Sequence, residues 1–221
     1  MIQLGTASAE HRAALGTLVA ARGRNRSLSP GEMLFAEGDH STSVFACISG
    51  RVNLFVTSPS GREIMLGTRI PVEGFGELSA ISGAPRTATA RTMEPTVIAG
   101  MPANDFLSEL ENEASLAIAV LRELAAQLAI TNLRLSSRSF EPADTRVAQL
   151  LVDLDAKFRR HSGTAAPEIP VTQEEVAAWV GSTREAAARS LAVLRRCGCI
   201  ETGRGRITVL DLDQLEERAR G

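Results

Sequence analysis

A chain of 221 residues with 44% hydrophobic content can bury one large core or two modest ones, an ordinary balance for a soluble globular protein. Its formal net charge of −2 gives no sign of nucleic acid, although a whole-chain average can hide a local patch. Three cysteines, with "CGC" among them, argue against a disulfide framework and lack the two-residue spacer of most zinc and iron–sulfur ligand pairs.

The N-terminal stretch has no apolar run long enough for a signal peptide or a membrane span, none appears later, and a cytoplasmic protein is expected. A short helix is expected near residues 8 to 20. From about Ser27 to Met101 turn formers recur at Pro30-Gly31, Gly38-Asp39, Ser49-Gly50, Ser58 to Gly61, Glu73-Gly74 and Gly83 to Pro85. Short apolar segments such as "SVFACIS" and "VNLFVTS" lie between them. That rhythm predicts a compact antiparallel β roll or barrel.

Inside this region, "GFGELSAISGAPRTATA", residues 74 to 90, sets one carboxylate, Glu77, and one guanidinium, Arg86, among small apolar residues. A phosphate in a shallow β pocket wants a guanidinium, a hydroxyl and backbone N–H groups, and a ribose hydroxyl wants a carboxylate acceptor. Arg86, Thr87, the amides around Gly76 and Ala88, and Glu77 supply each. A structural Glu77–Arg86 ion pair explains the same residues equally well.

From Asn112 to about Ser137 the sequence turns Ala- and Leu-rich, without Gly or Pro, and predicts a long helix. Ala117, Leu121, Leu124, Leu128, Thr131 and Leu135 follow spacings of four and three, as in an a/d seam. The stripe suits either a two-helix dimer or packing on the β region. A domain boundary is placed near Ser137, and Pro142 suits the first turn of a helix reaching about Arg160. A loop is expected from His161 to Pro170.

Next, Thr172 with Glu175 reads as a capping box, Gly181 as a helix stop, and Ser182 with Glu185 as the next cap. Two helices joined by so tight a turn form a helix-turn-helix, and "IETGRGRITVL" alternates about Gly203-Arg204-Gly205 as a two-stranded wing would. The stretch from Arg184 to Arg206 carries six arginines, at 184, 189, 195, 196, 204 and 206, against Glu185 and Glu201. Arg184, Glu185 and Arg189 lie early in the second helix, where arginine can pair with guanine and glutamate can accept from cytosine. Arg195, Arg196, Arg204 and Arg206 suit phosphates. The bland alternative is a cap at Glu185 and a solvated arginine face. Thr172 and Ser182, at the two helix starts, join Arg184, Glu185, Arg189 and Arg204 as candidate DNA-binding residues.

"FGELSAISGAPRTATA" closely resembles the phosphate-binding cassette of cyclic-nucleotide-binding domains, and "GSTREAAAR" the recognition helix of the Crp-Fnr branch of bacterial transcription regulators. The likeness extends over nearly the whole chain. It implies an α+β fold: an N-terminal cyclic-nucleotide-binding β roll with a dimerisation helix over residues 1–137, then a winged helix-turn-helix over 138–221. It also implies that Glu77 holds the ribose 2′-OH and that Arg86 and Thr87 hold the cyclic phosphate, with Gly76, Leu78 and Ala88 completing the cassette. Thr131 and Asn132 would contact the purine, one residue from each subunit. Cyclic AMP is the effector this resemblance favours. Gln127 departs from the arginine that relatives often carry, and Thr87 also suits cyclic GMP, so cyclic GMP, another effector, or none, stays open.

The implied partners are a palindromic double-stranded DNA operator, a second copy of the chain, and RNA polymerase. No metal is expected: no N-terminal cysteine cluster suggests an iron–sulfur branch, and His11, His40 and His161 are scattered. An enzyme is not expected either, since no Ser/His/Asp set, P-loop or metal motif is visible. An interaction adaptor using the long helix is the remaining alternative.

Overall fold

The computed structural model describes residues 14–221, with the backbone alone over 133–140. The expected helix near residues 8 to 20 falls partly outside these; its described part, α1, runs over 14–22. Packing divides the chain into two units, Met1–Ala129 and Ile130–Gly221.

In the first unit the frequent turns do fold the chain into paired antiparallel strands. One four-stranded sheet has the order β1 (Arg24–Leu28), β8 (Thr96–Pro102), β3 (Ser43–Ser49), β6 (Gly74–Phe75). The other runs β2 (Met33–Phe35), β7 (Thr89–Thr92), β4 (Val52–Thr57), β5 (Glu63–Arg69). Strand alternation sorts the side chains. Leu28, Ile98 and Phe75 of one sheet meet Val52 and Ala90 of the other in an inner core, with Phe35, Phe45 and Leu54 packed against it. Val44, Ala46, Ala99 and Met101, at the alternate positions of β3 and β8, instead meet Leu15 and Val19 of α1. Ala80 of α2 (Glu77–Ser82) and Phe106 of α3 (Ala103–Asn112) close that outer layer. Each large side chain buried this way contributes about 1.5–3 kcal/mol.

The register of β4 with β5 slips between Leu54, opposite Gly67, and Phe55, opposite Met65. Leu66 is therefore the extra residue of a bulge and is exposed, while Gly67 and Arg69 are buried on one face.

The long helix, α4, runs from Ala114 to Phe140. Leu116, Val120 and Glu123 form its buried stripe, at spacings of four and three. Ile118, Leu121 and Leu128 are 47%, 59% and 62% exposed, and Ala125 is exposed between them. The open apolar seam therefore runs 118, 121, 125, 128. Of the expected seam, Leu121 and Leu128 lie on it, Ala117 and Leu124 are half-buried, and the side chain of Leu135 lies outside the described residues. The expectation that no run suits a membrane span needs correcting: Ala114–Asn132 has the length and a mean hydropathy of 1.5 that would suffice. Its apolarity comes from lining a core on one side and forming an open seam on the other.

The second unit starts anew after Pro142, which is the N-cap of α5 (Ala143–Ser162) rather than a residue of its first turn. The following loop holds a short strand, β9 (Glu168–Ile169). Then come α6 (Gln173–Val180), α7 (Arg184–Arg196), β10 (Ile200–Gly203), β11 (Arg206–Val209) and α8 (Leu212–Arg220), the last not expected from the sequence. The wing is not two-stranded, as expected, but three-stranded, in the order β10-β11-β9, because Glu168–Ile169 of the preceding loop pairs with β11. Leu151, Val176, Leu191, Ile207 and Leu215 sit in the core of the second unit. All three cysteines are free thiols, Cys47 and Cys199 buried and Cys197 exposed.

Candidate effector cavity and DNA-reading surface

The first unit holds a cavity with about 480 Å³ of empty volume, partly open to solvent, whose wall includes Gly76, Glu77, Leu78, Arg86, Thr87 and Ala88. The structure thus brings together all six cassette residues expected from the sequence. Gly76 makes this possible. It caps α2 at φ 86° and ψ 7°, and a Cβ there would lie 2.7 Å from Nη1 of Arg86.

Arg86 is pinned from two sides. Its own backbone exchanges bonds with the 38–39 turn, N–H to Asp39 O at 2.8 Å and C=O from Gly38 N–H at 2.8 Å. Its guanidinium donates from Nη1 to Gly76 O at 2.9 Å and from Nη2 to Ser43 O at 2.6 Å. Cζ lies 4.2 Å from the centre of the Phe35 ring and 5.5 Å from that of Phe45, geometry that favours a cation. The Nε–H is buried and has no partner. Burial pushes the guanidinium's pKa down from the usual arginine value, and the charges of Glu77 and Asp39 partly oppose it.

Glu77 is 3% exposed and Arg86 4%, yet Arg86 turns its donors to backbone carbonyls and does not pair with Glu77. The ion-pair explanation of this segment therefore does not hold. Two buried charges that do not bond directly to one another each carry a desolvation penalty of several kcal/mol. An arrangement with that cost suits a ligand that satisfies both.

Thr131 and Asn132 are exposed on α4 and are not part of the cavity wall within one chain. The wall instead takes Gln127 from α4, Phe35 from β2, Leu54 from β4, and Leu66 and Arg69 from β5. Arg69 escaped the sequence reading. A lone arginine at a strand end looks like a solvated residue, and only the bulge at Leu66 turns it inward.

In the second unit, Thr172 and Glu175 form the expected capping box, the Glu175 N–H donating to Thr172 Oγ1 at 3.1 Å and the Thr172 N–H to Glu175 Oε2 at 2.8 Å. Gly181 ends α6 at φ 64°. The second box, expected at Ser182 and Glu185, does not form: Thr183 is the N-cap, its hydroxyl accepting from the Ala186 N–H at 3.2 Å. The N–H of Ser182 is already committed to Ala177 O, 3.0 Å away in the last turn of α6, so α7 starts one residue later.

Ala187, Ser190, Leu191 and Leu194 form the buried face of α7. Arg184, Glu185 and Arg189 are exposed, so one helix separates packing from a charged outer surface. The carboxyl of Glu185 is held below its usual range, first by a backbone N–H and the Thr183 hydroxyl and then by the charges of Arg184 and Arg189. Thr172, Arg184 and Arg206 border a solvent-open concavity between the helix starts and the wing. Ser182, Glu185, Arg189 and Arg204 lie outside that concavity. Arg204 is exposed in the turn joining β10 to β11, and Arg206 approaches Glu168 across the wing at 3.3 Å.

The Cyclic nucleotide-binding domain family matches residues 25–113, and the Crp-like helix-turn-helix domain family matches residues 145–218. The CRP-like cAMP-activated global transcriptional regulator of Mycobacterium tuberculosis is 32% identical over 191 residues, covering 86% of this chain and 85% of that protein. The cyclic AMP receptor protein of Thermus thermophilus is 33% identical over 197 residues, covering 89% and 88%. Among solved structures, a CRP/FNR-family transcriptional regulator from Thermus thermophilus superposes with a TM-score of 0.71 at 25% identity, covering 90% of this chain and 99% of that one.

Proposed function

We propose that this chain, which belongs to the Crp/Fnr family of DNA-binding transcription regulators, acts as a cytoplasmic homodimer whose operator binding is controlled by a cyclic purine nucleotide. The observation that carries the effector half is the unpaired couple Glu77 and Arg86, both buried in the wall of one cavity. A cyclic phosphate at Arg86 and Thr87 would supply the guanidinium's counter-charge, and the ribose hydroxyl would donate a hydrogen bond to the Glu77 carboxylate. The names of two relatives support cyclic AMP as the nucleotide; the phosphate and ribose contacts themselves are common to every cyclic purine mononucleotide.

The open seam of Ile118, Leu121, Ala125 and Leu128 supports the dimer, because an apolar helix stripe of this length is normally covered. Thr131 and Asn132 follow it along α4, where a bound purine in a dimer would meet one residue from each chain. Effector binding can then favour one arrangement of the pair only through contacts that differ between arrangements. Residues 1–137 form the sensing and pairing part and residues 138–221 the reading part, which docks on a palindromic site with RNA polymerase as a further partner.

The test is a binding selection on random duplexes at fixed salt, with and without cyclic nucleotide. A palindromic sequence enriched only with nucleotide is the expected result. Enrichment that ignores every cyclic nucleotide would refute the effector half, and no salt-dependent DNA binding at all would refute the whole.

A further inference from the structure

Arg69 is a second guanidinium in the cavity wall, and none of the contacts described above uses it. It is 4% exposed. Its Nε donates to Gly74 O at 3.2 Å and its Nη1 to Thr68 O at 3.4 Å. Those two bonds use two of five N–H groups, so three remain, two of them on Nη2. Room for the group comes from Gly67, where a Cβ would lie 2.7 Å from Nη1 of Arg69. The same spacing separates a Cβ at Gly76 from Nη1 of Arg86. Each guanidinium of this cavity therefore lies over its own glycine.

Charge counting limits what Arg69 can be for. The wall itself carries Arg69, Arg86 and Glu77 as charged side chains, a formal net charge of +1, and Asp39 acts on Arg86 from outside the wall. One cyclic phosphate brings the sum to zero; a second phosphate would leave an unbalanced negative charge in a buried site. A neutral pair of acceptors suits Arg69 better. The remaining wall includes apolar Leu54 and Leu66, and Leu54 pairs with Gly67, the glycine beneath the arginine. The 6-oxo group and N7 of guanine form the acceptor pair that a guanidinium reads best, whereas adenine offers N7 beside a 6-amino donor that opposes an N–H.

We propose that Arg69 reads the O6/N7 edge of the effector's base, so that the cavity prefers a 6-oxopurine cyclic nucleotide over cyclic AMP. This rests on the reading of the cavity as a cyclic-nucleotide site. Calorimetric titration of the full chain with cyclic AMP, cyclic GMP and cyclic IMP tests it, cyclic IMP keeping O6 while lacking the 2-amino group that Thr87 could meet. Cyclic GMP and cyclic IMP should both bind more tightly than cyclic AMP, by roughly 5- to 150-fold, as one bidentate pair provides. In Arg69→Leu, and in Arg69→Gln should the first variant fold poorly, the preference should shrink to within about 3-fold. A wild-type preference for cyclic AMP overturns the proposal. So does an equal loss for all three nucleotides in the variants, which would assign Arg69 to the phosphate. Wild-type protein that binds none of the three would refute the cavity assignment itself.

Discussion

Replacing Gly76 by alanine probes the effector cavity without removing any of its charges. The residue's φ of 86° lies in the left-handed region, where an L side chain costs roughly 1–2 kcal/mol. The new Cβ would lie 2.7 Å from Arg86 Nη1 and 3.5 Å from Phe45 Cδ2, so the guanidinium must retreat by roughly 1 Å to reach ordinary contact. That retreat breaks the 2.9 Å bond to Gly76 O, and a bond to a charged group is worth about 1.5–3 kcal/mol. Partial relaxation of the arginine tip lowers the sum, leaving an expected loss of about 2–4 kcal/mol. At roughly 4 °C per kcal/mol, the melting transition of the first unit should fall by roughly 8–16 °C. The displaced cation should also weaken cyclic nucleotide binding at least about 10-fold. Differential scanning and titration calorimetry on the same sample read both. An unchanged melting temperature would refute the strain argument. A lowered one with nucleotide affinity held within about 2-fold would show that the position of Arg86 does not matter to the ligand.

Arg86→Leu should lower nucleotide affinity by at least about 10-fold, the worth of one charge-assisted bond, in the same titration; near-wild-type affinity would contradict the pocket assignment. Arg189→Ala should lose about 1–3 kcal/mol at a single base position of the operator, read by competition among operator variants. Arg204→Ala, at the wing turn, should instead weaken every sequence alike and reduce the slope of log affinity against log salt by about 1. Leu121→Glu combined with Leu128→Glu removes two apolar side chains from each copy of the seam. Sedimentation should then show at least about a 1000-fold weaker dimer, since each buried leucine contributes about 1.5–3 kcal/mol.

Local chemistry was legible in the sequence where one residue type admits one geometry. The turn glycines and prolines announced the β roll, Thr172 and Glu175 their capping box, and Gly181 the end of α6, because each conformation tolerates few alternatives. Competition between neighbours was harder to read. Ser182 and Thr183 are both good N-caps, and what decides between them is the bond from Ser182 N–H to Ala177 O, a property of the preceding turn. The seam of α4 shows the same limit. A helix with apolar residues on several faces fits more than one a/d phase, and the packing of Leu116 and Val120 selects the one that leaves Ile118 and Ala125 outside. Arg69 was invisible for a third reason: a β-bulge, which sequence periodicity does not reveal, sets which way a strand-end side chain points.

The arginines of the two candidate sites fall into two physical classes, and the separation bears on how each can act. Arg184, Arg189, Arg195, Arg196 and Arg204 are exposed, so each holds its charge at little cost and contributes to binding mainly by meeting phosphates and base edges that arrive from solution. Arg69 and Arg86 are buried, and carbonyl oxygens of Gly74, Thr68, Gly76 and Ser43 hold them in place before any ligand arrives. A guanidinium fixed in this way gives up little side-chain entropy when it binds, whereas an exposed one gives up to about 2 kcal/mol. The buried pair can therefore discriminate between small ligands that differ by one acceptor, while the exposed set depends on number and on salt. The buried pair lines the cavity of the first unit, and the five exposed arginines of α7 and the wing turn lie in the second.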